Sequence, residues 1–330
     1  MTAVNVGFLG TGSYLPERVV TNDDIAELVA DATPEWITSR TGIETRRWAA
    51  PGEATSDLAA VAARRALAAA GLPADRVDYI LVSTSTPDHP QPPTACLVQS
   101  LIGAGSAACF DLNAVCAGFV YGVELASRLV AGRPGSHALV IAADVYSRIL
   151  DFGDRRTSVL LGDGAGAVVV GEVADGGVVE VDLSSYGDEQ DLIKVVAGGS
   201  RVPTTAATVA AGQHVFTMRG RDVRDFVMTN LPPLLDKLVT GAGLELADVD
   251  CFVPHQANGV LLRELAGRCG LDGAHTHLVV DRYGNVGSAS VPIALDDAVR
   301  TGKIGTGDLV LLAGFGGGMS VGTCLVRWSA

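Results

Sequence analysis

The sequence predicts an α/β fold of two homologous halves, stacked as a five-layer α-β-α-β-α sandwich. Three repeats predict it: a helix–loop–strand unit, a strand–turn–helix–strand unit, and a glycine-rich turn leading into a last strand, each present twice in the same order. Residues 66–83, ALAAAGLPADRVDYILVS, read as a helix that stops at Gly71 and a strand opened by Asp78. Residues 238–255, LVTGAGLELADVDCFVPH, repeat this with Gly243 and Asp250, at an offset of 172 for both. A fixed period is the mark of duplicated units. Residues 110–118, FDLNAVCAG, read as a strand and turn, then a helix to about Gly132 and a strand at 138–144. Residues 279–287, VVDRYGNVG, lead into a helix to about Gly302 and a strand at 308–314; here an offset of 169 sets Cys116 opposite Asn285. The halves close with LGDGAGAVVVG at 161–171 and GFGGGMSVGTCLVRW at 314–328. The division falls as 1–172 and 173–330, with the join near residues 172–180.

The runs Val77–Val82, Ala138–Ala142 and Leu309–Leu312 are almost continuously apolar, as strands covered on both faces are. The helix after Cys116 is apolar nearly all round (Phe119, Val120, Val123, Ala126, Leu129, Val130). Its charges, Glu124 and Arg128, are spaced to pair on one edge. Such a helix belongs between layers, which is why five layers are expected.

Composition agrees. Of 330 residues, 48% are hydrophobic and 18% charged, which supports a sizeable core and excludes a disordered chain. The 40 glycines follow no G-X-Y period, so collagen is excluded. A net charge of -13 argues against a nucleic-acid binder. Six cysteines without a CxxC fit neither a disulfide scaffold nor a structural metal site, and no metal is expected. Residues Met1 to Gly12 lack an export signal, and no apolar run reaches 18 residues, so a cytoplasmic protein without a membrane span is expected.

Gly10-Thr11-Gly12 after a strand, with Asp31 further on, imitates a dinucleotide site. Leu15 stands where the third glycine should be, Pro16 follows, and the next helix cap lies at Thr21–Asp24, so that reading is rejected. Gly162–Gly166 reads as a tight turn between packed layers rather than a phosphate cradle, because no Lys-Ser or Lys-Thr follows. Cys96, Cys109, Cys251, Cys269 and Cys324 read as small buried hydrophobes. Cys116 differs: it sits at a strand-to-helix turn with Ala117 and Gly118 behind it. A helix N-terminus favours a thiolate and should lower the thiol pKa. His255 ends an apolar strand in Pro254-His255-Gln256-Ala257-Asn258, where α/β folds build sites. Asn285 reads as a helix cap or as a site residue. Two central helices related by a pseudo-twofold can aim their N-termini at one cavity, so Cys116, His255 and Asn285 are expected to converge.

On these residues the chain resembles β-ketoacyl-[acyl-carrier-protein] synthase III, the initiating condensing enzyme of bacterial fatty-acid synthesis in the thiolase-fold superfamily. The resemblance spans essentially all 330 residues. It includes Trp36-Ile37 with Arg40-Thr41-Gly42-Ile43, the Cys116 segment, Leu161–Gly166, residues 254–258, Gly284-Asn285 and Gly314–Gly318. It implies a thiolase-like sandwich and a Cys116, His255, Asn285 triad. Cys116 would take an acyl primer from coenzyme A; His255 and Asn285 would donate hydrogen bonds to a malonyl thioester, from malonyl-CoA or a malonyl carrier protein. The N–H groups of Cys116 and Gly317 would form the oxyanion hole. Trp36 and Arg155 would hold the adenine with Arg40 nearby, and Phe216 and Asn258 would line the pantetheine tunnel. Coenzyme A thioesters are then substrates, with no cofactor, and a homodimer is implied. Arg46, Arg47 and Arg156 read either as a basic mouth for phosphates or as a solvated face.

Three residues depart from the family pattern. Thr217 and Val260 stand where carrier-using members commonly have basic residues, with Arg219, Arg221, Arg263 and Arg268 as candidate substitutes. Gln91, between prolines, stands in the loop that closes the partner's acyl pocket in the family. Together they suggest a specialised pathway. A second reading is an acyltransferase that passes the acyl group to an alcohol, amine or carrier with His255 as base; a non-catalytic carrier or dimerisation module is a third.

Overall fold

The computed structural model describes residues 4–329; residues 1–3, the start of the segment read for an export signal, lie outside it. The first sheet contains β1 (Val6–Tyr14), β2 (Tyr79–Ser83), β3 (Ala108–Leu112), β4 (Ala138–Val145) and β5 (Asp163–Glu172), ordered β1-β5-β4-β2-β3. The second contains β6 (Gly177–Ser185), β7 (Cys251–Pro254), β8 (His275–Thr276), β9 (Leu309–Gly316) and β10 (Ser320–Arg327), ordered β6-β10-β9-β7-β8. The two orders are the same. In each sheet two strand pairings are parallel and two antiparallel, at corresponding places, so that four strands run one way and one the other.

The repeat holds bond by bond. Tyr79 lies beside Ala138 and Cys251 beside Val310, an offset of 172 on both strands. Asp78 accepts from His137 N at 2.9 Å, and Asp250 accepts from Leu309 N at 2.8 Å. Gly71 and Gly243 end their helices with φ of 62° and 75°, the left-handed cap that glycine adopts without strain.

Six helices complete the layers: α1 (Thr55–Ala69), α2 (Thr94–Ile102), α3 (Gly118–Gly132), α4 (Gly220–Gly241), α5 (Gly259–Arg268) and α6 (Ser290–Arg300). α1 and α2 cover the outer face of the first sheet, α3 and α6 lie between the sheets, and α4 covers the second sheet. The five expected layers are therefore present. Central position explains the apolarity of α3, whose Glu124 and Arg128 pair at 2.7 Å on its edge. No unbroken apolar run of 18 residues is present there, since Glu124 and Arg128 interrupt it, but residues 115–132 still reach a mean hydropathy of 1.3 over 18 residues, enough by length and composition to cross a membrane. Their place between two sheets accounts for it.

The glycines of the rejected dinucleotide motif serve packing. A Cβ at Gly12 would lie 2.3 Å from Ala66 N, so β1 touches the backbone of α1. The LGDGAG segment is already strand rather than turn from Asp163 onward, and a Cβ at Gly166 would meet Pro292 of α6 at 2.7 Å. Close packing of layers, as expected, is what this motif supplies.

Candidate active site

Cys116 sits in a single 3-10 turn, Val115–Ala117, between the end of β3 and the start of α3. Val115 has φ 47°, a costly conformation for a β-branched residue, so the chain is bent hard immediately before the thiol. Gly316, at the end of β9, presses on the same turn: a Cβ there would lie 2.7 Å from Cys116 Cβ and 2.8 Å from Cys116 N. Only glycine fits against the Cys116 turn at this position. Gly317 follows, and a Cβ there would lie 3.2 Å from the Val115 side chain and 3.5 Å from that of Ile193.

His255 continues β7, donating its backbone N–H to Ala313 O at 2.7 Å. Its ring stands edge-on to Phe315, with centroids 5.2 Å apart, and its Nδ1 is buried without a protein partner. Gln256, which the sequence signals only as a neighbour, is the clip for this loop. Its Nε2 donates to Pro254 O at 2.8 Å, and its Oε1 accepts from Val279 N and Val280 N.

Asn285 is held from both sides, donating its N–H to Leu160 O at 2.9 Å and accepting from Gly162 N at 2.9 Å. Its side-chain Oδ1 accepts from Gly287 N at 2.9 Å, which leaves the amide Nδ2 as the free donor. Cys116, His255 and Asn285 line one cavity of about 50 Å³, together with Tyr146, Phe216 and Gly316. Convergence of the three is thus a fact of the fold.

The correspondence across the pseudo-twofold differs from the sequence reading. The 3-10 turns are Val115–Ala117 and Gly287–Ala289, each followed at once by a central helix. Cys116 therefore matches Ser288, and Asn285 matches Asn113, at the same offset of 172 that relates the strands. Asn113 Oδ1 accepts from Val115 N at 3.1 Å, as Asn285 does from Gly287 N. The 169 offset fails because it aligns residues by presumed role. Asn-Ala-Val-Cys-Ala against Asn-Val-Gly-Ser-Ala carries the correct register.

Burial governs the ionisation of the site. It pushes the Cys116 thiol well up, with the nearby Asp144 carboxylate adding to the rise. The expected lowering by the helix N-terminus does not prevail, because desolvation of a fully enclosed thiol is the larger effect. Burial pushes His255 down to about 3, so its imidazole is neutral and carries one N–H. Asp144 is raised to about 6 by burial, partly offset by hydrogen bonds from Ser288, Ser85 and Thr84.

A wider cavity of about 430 Å³ adjoins the first and shares Met218, Val223, Ala257, Leu261 and Asn285 with it. Trp36, Arg40 and Asn258 line this mouth, and Phe216 lines the inner cavity. Arg155 lies directly over the Trp36 ring, 4.8 Å from its centroid, and donates to Asp31 O. Asn258 caps α5, accepting from Val260 N and Leu261 N while Nδ2 donates to Arg40 O. Gln91 is exposed and lines neither cavity.

The basic mouth is narrower than the sequence suggests. Arg46 is fully buried, donating to Asn22 Oδ1 and Val159 O, so it cannot face phosphates. Arg47 donates to Pro16 O and Glu17 O, and Arg156 lines the mouth while paired with Asp154 at 2.9 Å. Arg224, also at the mouth, is bound to both oxygens of Glu264.

Comparison with known proteins agrees with this geometry. Residues 110–187 match the family model "3-Oxoacyl-[acyl-carrier-protein (ACP)] synthase III", and residues 239–328 match the model of its C terminal. The chain is 50% identical to an acetoacetyl CoA synthase of Streptomyces sp. (strain CL190), covering 99% of this chain and 100% of that one. It is 44% identical to a beta-ketoacyl-[acyl-carrier-protein] synthase III of Clostridioides difficile (strain 630), covering 98% of each. The crystal structure of a priming beta-ketosynthase from a polyketide biosynthetic pathway matches with a TM-score of 0.92 and 34% identity, over 99% of this chain and 97% of that one. With both models matched in order and such identity over nearly the whole length, the chain belongs to the 3-oxoacyl-[acyl-carrier-protein] synthase III family.

Proposed function

We propose that the protein catalyses a decarboxylative Claisen condensation between an acyl-CoA primer and malonyl-CoA, through an acyl-Cys116 intermediate. The observation that carries it is the pair of neutral donors facing the buried thiol's cavity: Asn285, whose Oδ1 is occupied and whose Nδ2 is free, and His255, kept uncharged by burial. Enolate stabilisation needs two donors, whereas simple acyl transfer needs only a base, so the acyltransferase reading is not favoured.

In the first half-reaction the Cys116 sulfur attacks the primer carbonyl, with oxyanion contacts from the N–H groups of Cys116 and Gly317. The carbon–sulfur bond to coenzyme A breaks, and the proton lost by Cys116 passes to the departing coenzyme A thiolate. In the second, the malonyl carboxylate leaves as CO2, and its bonding pair becomes an enolate held by His255 and Asn285. The enolate carbon bonds to the acyl carbonyl, Cys116 leaves as thiolate and takes up one proton from solvent, and a 3-oxoacyl thioester departs. The chemistry calls on no metal or redox cofactor. Arg40 and Arg156 would meet the coenzyme A phosphates at the mouth, and the adenine would part Arg155 from Trp36, since a planar base stacks on both.

The choice of malonyl-CoA rests on the surface around the mouth. Val260 is exposed there, and Thr217 donates its hydroxyl to Lys194 O. Of the candidate substitutes, Arg219 is paired with Asp222 at 3.0 Å, and Arg268 lies 4.0 Å from a Glu264 already held by Arg224. These two cations are offset by acids, so of the four candidates only Arg221 and Arg263, which stand in no ion pair among the described residues, are left to attract an acidic carrier protein. The relative named as an acetoacetyl CoA synthase supports the same choice. We further propose that the halves divide at 172/173, that a second copy adds to the open edge strand β3, and that the enzyme works in the cytoplasm in fatty-acid or polyketide synthesis, with Gln91 reaching the partner's acyl pocket.

The test is intact mass after incubation with acyl-CoA, followed by CO2 release from malonyl-CoA or a malonyl carrier protein. An acyl adduct absent in Cys116→Ala, and CO2 release that falls at least 100-fold in Asn285→Ala, are expected. No adduct with any primer would sink the reading. Faster turnover with the carrier protein would overturn the choice of donor.

A further inference from the structure

The pseudo-twofold gives the active site a counterpart. Cys116 corresponds to Ser288, His255 to Ser83, Asn285 to Asn113, and Gly316 to Asp144, all at the offset fixed by the two sheets. At the working site Gly316 carries no side chain and its backbone presses on Cys116. At the counterpart the position bears the Asp144 side chain, which is fully buried and bonded to no cation among the described residues.

The carboxylate bonds to both halves. Oδ1 accepts from Ser85 N at 2.8 Å and from the hydroxyls of Thr84 and Thr86 at 3.3 Å, all in the loop leaving β2. Oδ2 accepts from Ser288 N at 2.8 Å and Ser288 Oγ at 2.7 Å, in the turn just after Asn285. Ser288 Oγ also contacts Ser83 O at 3.1 Å. Gly287 fits between: a Cβ there would lie 2.5 Å from Asp144 Oδ2 and 2.3 Å from Tyr146 Cε2. The Asn285 Oδ1 bond ends on that same Gly287 N. A buried carboxylate without a cation is costly and needs a reason to be kept.

We propose that Asp144 is a positioning residue for the malonyl step: through Ser288 and Gly287 it fixes the turn that aims the Asn285 amide at the enolate oxygen. The inference rests on the condensation reading. Asp144 touches neither substrate nor the reacting atoms; it bonds the Asn285 turn directly through Ser288, and reaches the Cys116 turn only by way of Ser85, whose Oγ lies 3.5 Å from Asn113 Oδ1. The two half-reactions should therefore separate.

The experiment measures Cys116 acylation by intact mass and CO2 release from malonyl-CoA, in the full-length enzyme and in Asp144→Asn, Ser288→Ala and the double variant. Asn keeps the shape but offers one acceptor in place of two. Decarboxylation should fall about 30-fold or more in each single variant, with acylation within threefold of the unmodified enzyme in Ser288→Ala and unchanged or faster in Asp144→Asn, which also removes a charge that raises the Cys116 thiol. The double variant should be no worse than the poorer single one, because both act through one contact. Ser288→Ala, which removes one hydroxyl, decides the matter if Asp144→Asn does not fold. Equal losses in both half-reactions, or decarboxylation within threefold, would overturn the inference. An unmodified enzyme that neither acylates nor decarboxylates would overturn the condensation reading, and this inference with it.

Discussion

His255 is held neutral by burial alone, and that has a consequence for stability. Its folded pKa lies at about 3 against 6.5 when exposed, so the unfolded chain binds the proton more readily. Stability from this group is present above pH 6.5 and is lost as pH falls toward 3. Between pH 7 and pH 5 the loss is on the order of 2 kcal/mol. Asp144 runs the other way: raised to about 6, its contribution is present below pH 3.8 and lost as pH rises through 6. The His255 part is isolated by difference. His255→Asn should narrow the gap in Tm between pH 7 and pH 5 relative to the parent, read by calorimetry; an unchanged gap would show that His255 is not held neutral. These two groups were legible unequally. His255 is announced by its place at a strand end. Asp144 is hidden in an apolar strand, and only the fold shows that its carboxylate meets Ser288.

At the level of elements, contacts between strand and helix backbones set the tightest tolerances. Gly12 of β1 touches α1 so closely that an added methyl group would overlap Ala66 N. Backbone cannot step aside as a side chain can, so Gly12→Ala should cost about 1–3 kcal/mol. Gly52, with nothing within 4 Å of a built Cβ, is the control, and Gly52→Ala should leave stability unchanged. Urea unfolding of both variants checks this, and equal midpoints would show that the layers can separate freely. The order of elements was readable from sequence because each repeats. Their ends were less so: β9 runs on to Gly316, two residues past the expected end, because the last residues still pair with β10.

For the whole molecule, a net charge of -13 frames the question of the malonyl donor. The mouth carries arginines, but Arg156 and Arg224 face acids of this same chain. Adding charge where none is balanced should alter partner choice. Thr217→Lys with Val260→Arg should raise kcat/KM for a malonyl carrier protein about 5- to 10-fold, since each exposed pair contributes up to about 1 kcal/mol. The value for malonyl-CoA should stay within twofold, and the gain should vanish in high salt. No gain at low salt would show that charge at these two positions does not limit carrier docking.

The sequence by itself determined the duplicated α/β plan and singled out Cys116 as the candidate nucleophile, because hydrophobic periodicity, turn glycines and the strand-to-helix position of Cys116 are local properties written into consecutive residues. The tertiary structure alone decided the register between the halves, the burial of Arg46, the rise in the Cys116 pKa and the grip of Asp144 on the Asn285 turn. Each of those depends on which distant residues exclude water or donate a bond. Desolvation and pairing between residues 144 positions apart leave no periodic trace in the chain.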